Sequence, residues 1–216
     1  LYSSAASDVY KRQTYNPFSG AQARVDDIYA WCLPNTSSDP SWKYNSTGAA
    51  DLQSKSTEEY SGFGSFVDPD APMTSQSGNN TVPDYFHNSG NNIQASVWGR
   101  IRNCNDVIYG IENSTLSEEE KNELLGQVYF FRAWCYYNLV KWYGGVPIIT
   151  EVQEPVAGAI TPRSTTKACV DFICEDLERS AQLLASFTEN GGWPSSDFGR
   201  VTSGTALALK GRTLLL

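Results

Sequence analysis

The sequence predicts an all-α fold of stacked helical hairpins that carry long irregular loops. Three apolar stripes predict it. Ile93, Val97, Ile101, Cys104, Ile108 and Ile111 recur at spacings of 4, 4, 3, 4 and 3, which is one face of a helix. Leu124, Val128, Phe131, Cys135, Leu139 and Trp142 repeat the pattern at 4, 3, 4, 4 and 3. Val170, Ile173, Leu177, Ala181 and Leu184 form the third, with Asp171, Glu175, Glu178 and Gln182 on the opposite side.

Taken in chain order, the first helix is expected over Gln22–Leu33, where Val25, Ile28, Tyr29 and Cys32 share a face and Pro34 ends it. Residues 35–90 follow, rich in Ser, Asn, Gly, Asp, Thr and Pro, with scattered aromatics and no sustained period. So long an irregular stretch inside a compact domain points to function. The second helix is expected from Asn92 to Ile111.

Ser117 opens the third helix. Glu120 three residues later completes a capping box, and Glu118 and Glu119 favour the positive helix end. Its second half is aromatic nearly all round, through Tyr129, Phe130, Trp134, Tyr136, Tyr137 and Tyr143, as suits a helix buried among others. Gly144 and Gly145 supply the cap and Pro147 forbids continuation. An extended connector over 148–163 leads to a helix from about Thr165, a polar loop over 188–201, and a last helix from Thr202 or Ser203. The two hairpins, 92–143 and 165–216, are similar in geometry to a tetratricopeptide stack, although that repeat's consensus residues do not stand out.

Composition narrows the function. The 216 residues can build one substantial core, and 40% hydrophobic with 19% charged residues is a globular mix. A net charge of −8 repels phosphate backbones and argues against nucleic acid. Cys32, Cys104, Cys135, Cys169 and Cys174 fit neither a redox pair nor a zinc knuckle and read as small buried hydrophobes. No run approaches the ~18 apolar residues of a membrane span. Both ends read as cut: the chain opens on Leu1 and closes on Leu216 within an apolar run that lacks a helix stop signal. Asp8–Gln13 (DVYKRQ) resembles the translation of a sequencing-library transposase adapter, so residues 1–13 are expected to be foreign and 14–216 native.

No catalytic signature emerges. His87 is the only histidine and no nucleophile motif flanks it. Asp68 with Asp70, and Glu58 with Glu59, sit in ordinary acidic loop sequence. No phosphate loop or metal-ligand cluster occurs, so no catalytic residue, metal or cofactor is expected. Arg132 in its aromatic helix reads as structural, holding an ion pair or capping carbonyls, and Trp134 and Trp142 read as core. Trp42, Tyr44, Tyr60, Tyr85 and Trp193 lie in polar loops and are the candidate ligand-binding residues.

The stretch Val128–Ile149, VYFFRAWCYYNLVKWYGGVPII, resembles the signature helix of the SusD/RagB family, with Arg132-Ala133 in an aromatic helix followed by Tyr143-Gly144-Gly145-Val146-Pro147 and an aliphatic pair. Arg163-Ser164-Thr165 before an acidic helix, Gly199-Arg200, and the run Ala206–Arg212 fit the same pattern, as do Trp98, Asn103–Asn105 and Ala49-Ala50-Asp51. The resemblance covers about residues 20–216. Gln127-Val128 stands where the family often has Glu-Ala, a difference of packing.

The resemblance implies a non-enzymatic lipoprotein on the extracellular face of the outer membrane of Bacteroidota. Such a protein binds an oligosaccharide, or less often a peptide, as a lid on a SusC-like TonB-dependent transporter. The lipid-anchor cysteine is absent from this chain, since Cys32 follows no lipobox. The alternative is a helical-repeat adaptor that binds protein and no small ligand.

Overall fold

The computed structural model describes residues 13–33, 97–153, 160–189 and 192–216, without the side chains of 142 and 188. The chain divides into two compact units, one formed by 1–29 with 100–216 and the other by 30–99. Of the second unit only 30–33 and 97–99, the ends of two helices, are described. Tyr44, Tyr60, Tyr85, Trp42 and His87 lie outside the described residues, as do the two acidic pairs. Of the segment 1–13, only Gln13 is described.

Among the described residues there is no strand and, besides the helical residues 13–15, there are five α-helices: α1 Phe18–Cys32, α2 Val97–Glu112, α3 Glu118–Tyr143, α4 Thr166–Glu189 and α5 Ser203–Thr213. A 3-10 turn at Ser195–Asp197 precedes α5. Helix α1 starts four residues ahead of the Gln22 expected, because the Pro17 carbonyl accepts the Gly20 and Ala21 amides and so opens the first turn. The residues 92–96 expected at the head of α2 are outside the described set.

The start and stop of α3 follow local chemistry. Ser117 is extended, its hydroxyl accepts from the Glu120 amide at 3.3 Å, and the Glu120 carboxylate accepts from the Ser117 amide at 2.9 Å. At the far end Gly144 adopts φ +67° and donates its N–H to the Val140 carbonyl. Gly145 lies so close to the next segment that a Cβ there would sit 2.0 Å from the Ser164 carbonyl oxygen. Arg163 closes the turn by donating to the carbonyls of Gly145 and Tyr143, at 2.7 and 2.6 Å.

Every residue from Leu124 to Ala133 is buried. A helix covered on all sides for ten residues is the interior member of a stack. Helix α4 packs along it, with Leu177, Leu184 and Ile173 fully buried, and α5 packs on α4 through Ala206, Leu209 and Thr213. Each such aliphatic side chain removed from water is worth about 1.5–3 kcal/mol. Tyr29 of α1 meets Phe131 edge-on at 4.5 Å, and Tyr129 of α3 donates to Glu112 of α2. Thr202 caps α5 reciprocally with Thr205.

Four cysteines, Cys32, Cys104, Cys135 and Cys169, are buried, as small hydrophobes are. Cys174 is half-buried, and burial raises its thiol pKa. Trp134 is half-buried and stacks on Tyr137.

Candidate functional site

The centre of the helical stack is a polar lock. Arg132, from the middle of α3, donates through Nε and Nη2 to the two Asp176 oxygens of α4 at 2.7 and 2.8 Å. Its Nη1 donates to Oδ1 of Asn105 on α2 at 3.0 Å. Asn105 in turn donates to the carbonyls of Ile149 and Glu151, at 3.0 and 3.4 Å. One guanidinium thus ties three helices, and the amide beside it pins the connector that follows the Gly-Gly turn. Tyr136 adds a second pin, its hydroxyl accepting the Ile149 amide at 2.7 Å. Burial raises the pKa of the Asp176 carboxyl, against the pull of Arg132. Of the two structural roles expected of Arg132, ion pairing or capping carbonyls, the structure shows the first.

Beside the lock, and open to solvent, lies a cleft of about 690 Å³. Its walls are α2 (Asn105, Tyr109, Glu112), α3 (Tyr129, Arg132), α4 (Arg179) and the connector 150–152. Glu112 Oε1 accepts from the Tyr129 hydroxyl at 3.1 Å and from Arg179 at 3.4 Å. The Arg179 guanidinium lies 4.4 Å from the centre of the Tyr129 ring. Burial in this setting pushes the Tyr129 phenol up to about 12, with the Glu112 charge adding to the effect. Tyr109, one turn before Glu112, is 52% exposed.

A third cluster surrounds Arg200. Its Nη1 donates to Asp26 at 2.7 Å and its Nε to Asp197 at 2.7 Å. The guanidinium also lies over the rings of Tyr29 and Trp193, at 5.4 and 5.7 Å. Hydrogen bonds from Arg200 and Ser196 hold the Asp197 carboxyl below its ordinary value. The Tyr29 hydroxyl donates to Gln127 and accepts the Val201 amide, and burial pushes its phenol up to about 12.

Trp193, the one candidate ligand residue that is described, belongs to this third cluster. Its indole N–H donates to the Val201 carbonyl at 2.9 Å and its ring packs on Phe187 at 4.3 Å. It is half-buried and folded down onto its own loop. It is not part of the cleft, whose Tyr109, Glu112 and Arg179 were not read as a site from the sequence. The available signal was Asn105, Tyr109 and Glu112 at i, i+4 and i+7, a polar and aromatic face beside the apolar stripe of α2. Among the described residues no group of three or more His, Cys, Asp or Glu could hold a metal ion, and no helix is long and apolar enough to cross a membrane.

An all-helical stack locked by a buried arginine in an aromatic helix, with a Tyr-Gly-Gly-Val-Pro turn, defines a helical-repeat scaffold of the tetratricopeptide-like kind. The family described as "Starch-binding associating with outer membrane", SusD-like, matches residues 8–212, beginning within the segment 1–13. The chain belongs to this SusD-like family.

A curated relative, SusD-like protein P25 of Formosa agariphila, is 26% identical over 113 residues, which is 52% of this chain and 20% of the relative. A crystal structure of a SusD-like protein from Bacteroides fragilis is 25% identical with a TM-score of 0.62, covering 94% of this chain and 35% of that one. A SusD-like carbohydrate binding protein, also from Bacteroides fragilis, shares the fold at 22% identity and a TM-score of 0.64, covering 94% and 38%. The chain thus spans a fifth of the curated relative's length and little more than a third of the solved structures.

Proposed function

We propose that this chain is part of a cell-surface protein that captures an oligosaccharide at the extracellular face of the outer membrane and passes it to a SusC-like TonB-dependent transporter. The family match over residues 8–212 carries this reading. The name of one solved relative, a carbohydrate binding protein, supports it. On this reading the protein binds and releases its ligand without cleaving it. A lipid anchor upstream of the chain would hold it at the membrane.

This reading divides labour within the chain. Most of the interior of α3 is taken up by packing and by the Arg132 lock. We therefore assign recognition to Trp42, Tyr44, Tyr60, Tyr85 and Trp193 as sugar-stacking residues, on the reading of their sequence segments. Aromatic rings suit the apolar faces of sugars, and amides and carboxylates suit their hydroxyls. The net charge of −8 favours a neutral glycan over a polyanion.

The test uses the full-length protein. Affinity electrophoresis through gels containing starch, laminarin or xylan should retard it on at least one of them. Release of reducing ends should stay at the level of a protein-free control. Failure to be retarded on any gel would count against glycan capture, and steady release of reducing ends would replace the reading with a glycan-cleaving enzyme. Co-purification with a transporter barrel tests the partner separately.

A further inference from the structure

We infer that the cleft between α2, α3 and α4 is a carbohydrate subsite on the helical scaffold, in which Tyr109 stacks on a sugar ring while Glu112 and Arg179 bind its neighbouring hydroxyls. The inference rests on the carbohydrate-binding reading above and adds to it a site lined by residues other than Trp42, Tyr44, Tyr60, Tyr85 and Trp193.

The volume of about 690 Å³ falls within the range of about 300–1,000 Å³ of small-molecule sites. The groups in it are held in place before any ligand arrives. Tyr129 is 2% exposed, and its ring carries the Arg179 guanidinium while its hydroxyl fixes Glu112. Those bonds all fall on Oε1 of Glu112 and Nη2 of Arg179. Among the described residues Oε2 of Glu112, and Nε and Nη1 of Arg179, have no hydrogen-bond partner. An acceptor and a fork of donors thus stand side by side, the arrangement that two adjacent hydroxyls satisfy. Tyr109, one helical turn before Glu112, supplies the flat apolar surface.

Charge selects the ligand class. Arg132 lines the cleft, but its charge is answered by Asp176. That leaves the carboxylates of Glu112 and Glu151 against the single guanidinium of Arg179. A phosphorylated or uronic-acid ligand meets net repulsion there, whereas a neutral hexose does not.

The experiment is calorimetric titration of the full-length protein with maltoheptaose and with laminarihexaose, comparing the wild type with Tyr109→Ala, Arg179→Gln and Trp42→Ala. Tyr109→Ala and Arg179→Gln should each weaken binding about tenfold while the helical circular dichroism stays at the wild-type level. Two exposed positions on separate helices guard against one of them disturbing the fold. Wild-type affinity in both variants would overturn the subsite and leave glycan capture standing, with Trp42→Ala reporting on the loops. Absence of binding of either sugar by the wild-type protein would overturn the subsite for these glucans, and the reading beneath it falls too if none of the starch, laminarin and xylan gels retards the protein.

Discussion

Arg132 and Asp176 grip each other through two hydrogen bonds of 2.7 and 2.8 Å, with side chains only 7% and 6% exposed. A buried pair of this kind adds little net stability over apolar residues of the same size, yet removing one partner strands the other charge. Arg132→Met or Asp176→Leu alone should therefore cost about 3–5 kcal/mol in urea unfolding. The double variant should cost clearly less than the two single costs added together, the interaction energy lying at about 0.5–3 kcal/mol. Strict additivity would show that the pair is not coupled and that the lock is only a geometric coincidence.

Tyr15, Tyr29 and Tyr129 give the fold an alkaline limit. Burial pushes each phenol from its ordinary value of 10 up to about 12. Below pH 10 the phenols are neutral in both the folded and the unfolded chain, and the stability gained by burying them is fully present. Above it the unfolded chain ionises first, so stability falls as pH rises towards 12. Phenolate absorbance should rise in two phases, the exposed tyrosines first, and the second phase should coincide with loss of helical circular dichroism. One smooth rise near pH 10 without loss of helix would show that these rings are not buried.

The parts of this fold that the sequence made legible are those governed by neighbours along the chain. Ser117 and Glu120 are three residues apart, and Gly144, Gly145 and Pro147 nearly adjoin, so capping and stopping α3 could be read directly. The aromatic girdle of α3 also announced an interior helix, and its residues from Leu124 to Ala133 are all buried. Arg132 was legible as a structural residue, in an ion pair or capping carbonyls, but Asp176 lies 44 residues away and no spacing names it. The cleft was harder still. Glu112 and Arg179 are 67 residues apart, and each alone is an ordinary charge on the solvent side of an amphipathic helix. Only the packing of α2 and α4 against α3 brings them together. Trp193 was legible as an aromatic in a polar loop, but its bond to Val201 depends on how that loop folds back.

A close approach of α3 and α4 is a further quantity open to test. A Cβ added at Gly126 would lie 2.5 Å from Cγ of Leu184, and the Ser180 hydroxyl donates to the Gly126 carbonyl at 2.5 Å. Gly126→Ala should cost about 1–3 kcal/mol through overpacking. Leu184→Ala should cost about 2–5 kcal/mol through the cavity it leaves. Combined, the small residue at 184 makes room for the methyl at 126, and the double variant should be more stable than the sum of the single costs allows. Additive costs in thermal unfolding would mean that the two helices are not held at this separation.

Arg200 decides how firmly the loop before α5 is attached. It reaches Asp26 of α1 and Asp197 of the 3-10 turn at 2.7 Å each, and its guanidinium lies over Tyr29 and Trp193. Arg200→Gln keeps a polar side chain but loses the charge and the fork. The Asp197 carboxyl, held low chiefly by its hydrogen bond from Arg200, should then titrate closer to its ordinary value of 3.8 in a carbon-detected NMR experiment. The depressed value works in favour of the folded loop at pH above the ordinary value and ceases to do so as pH falls through the folded one. Acidification should therefore loosen the wild-type loop, and Arg200→Gln should loosen it at every pH. Trp193 is the reporter, since its indole is bonded to Val201 and packed on Phe187, and its fluorescence should shift to the red when the loop releases. A Trp193 emission unchanged in Arg200→Gln would show that Val201 and Phe187 suffice to hold the ring, and that Arg200 serves α1 alone.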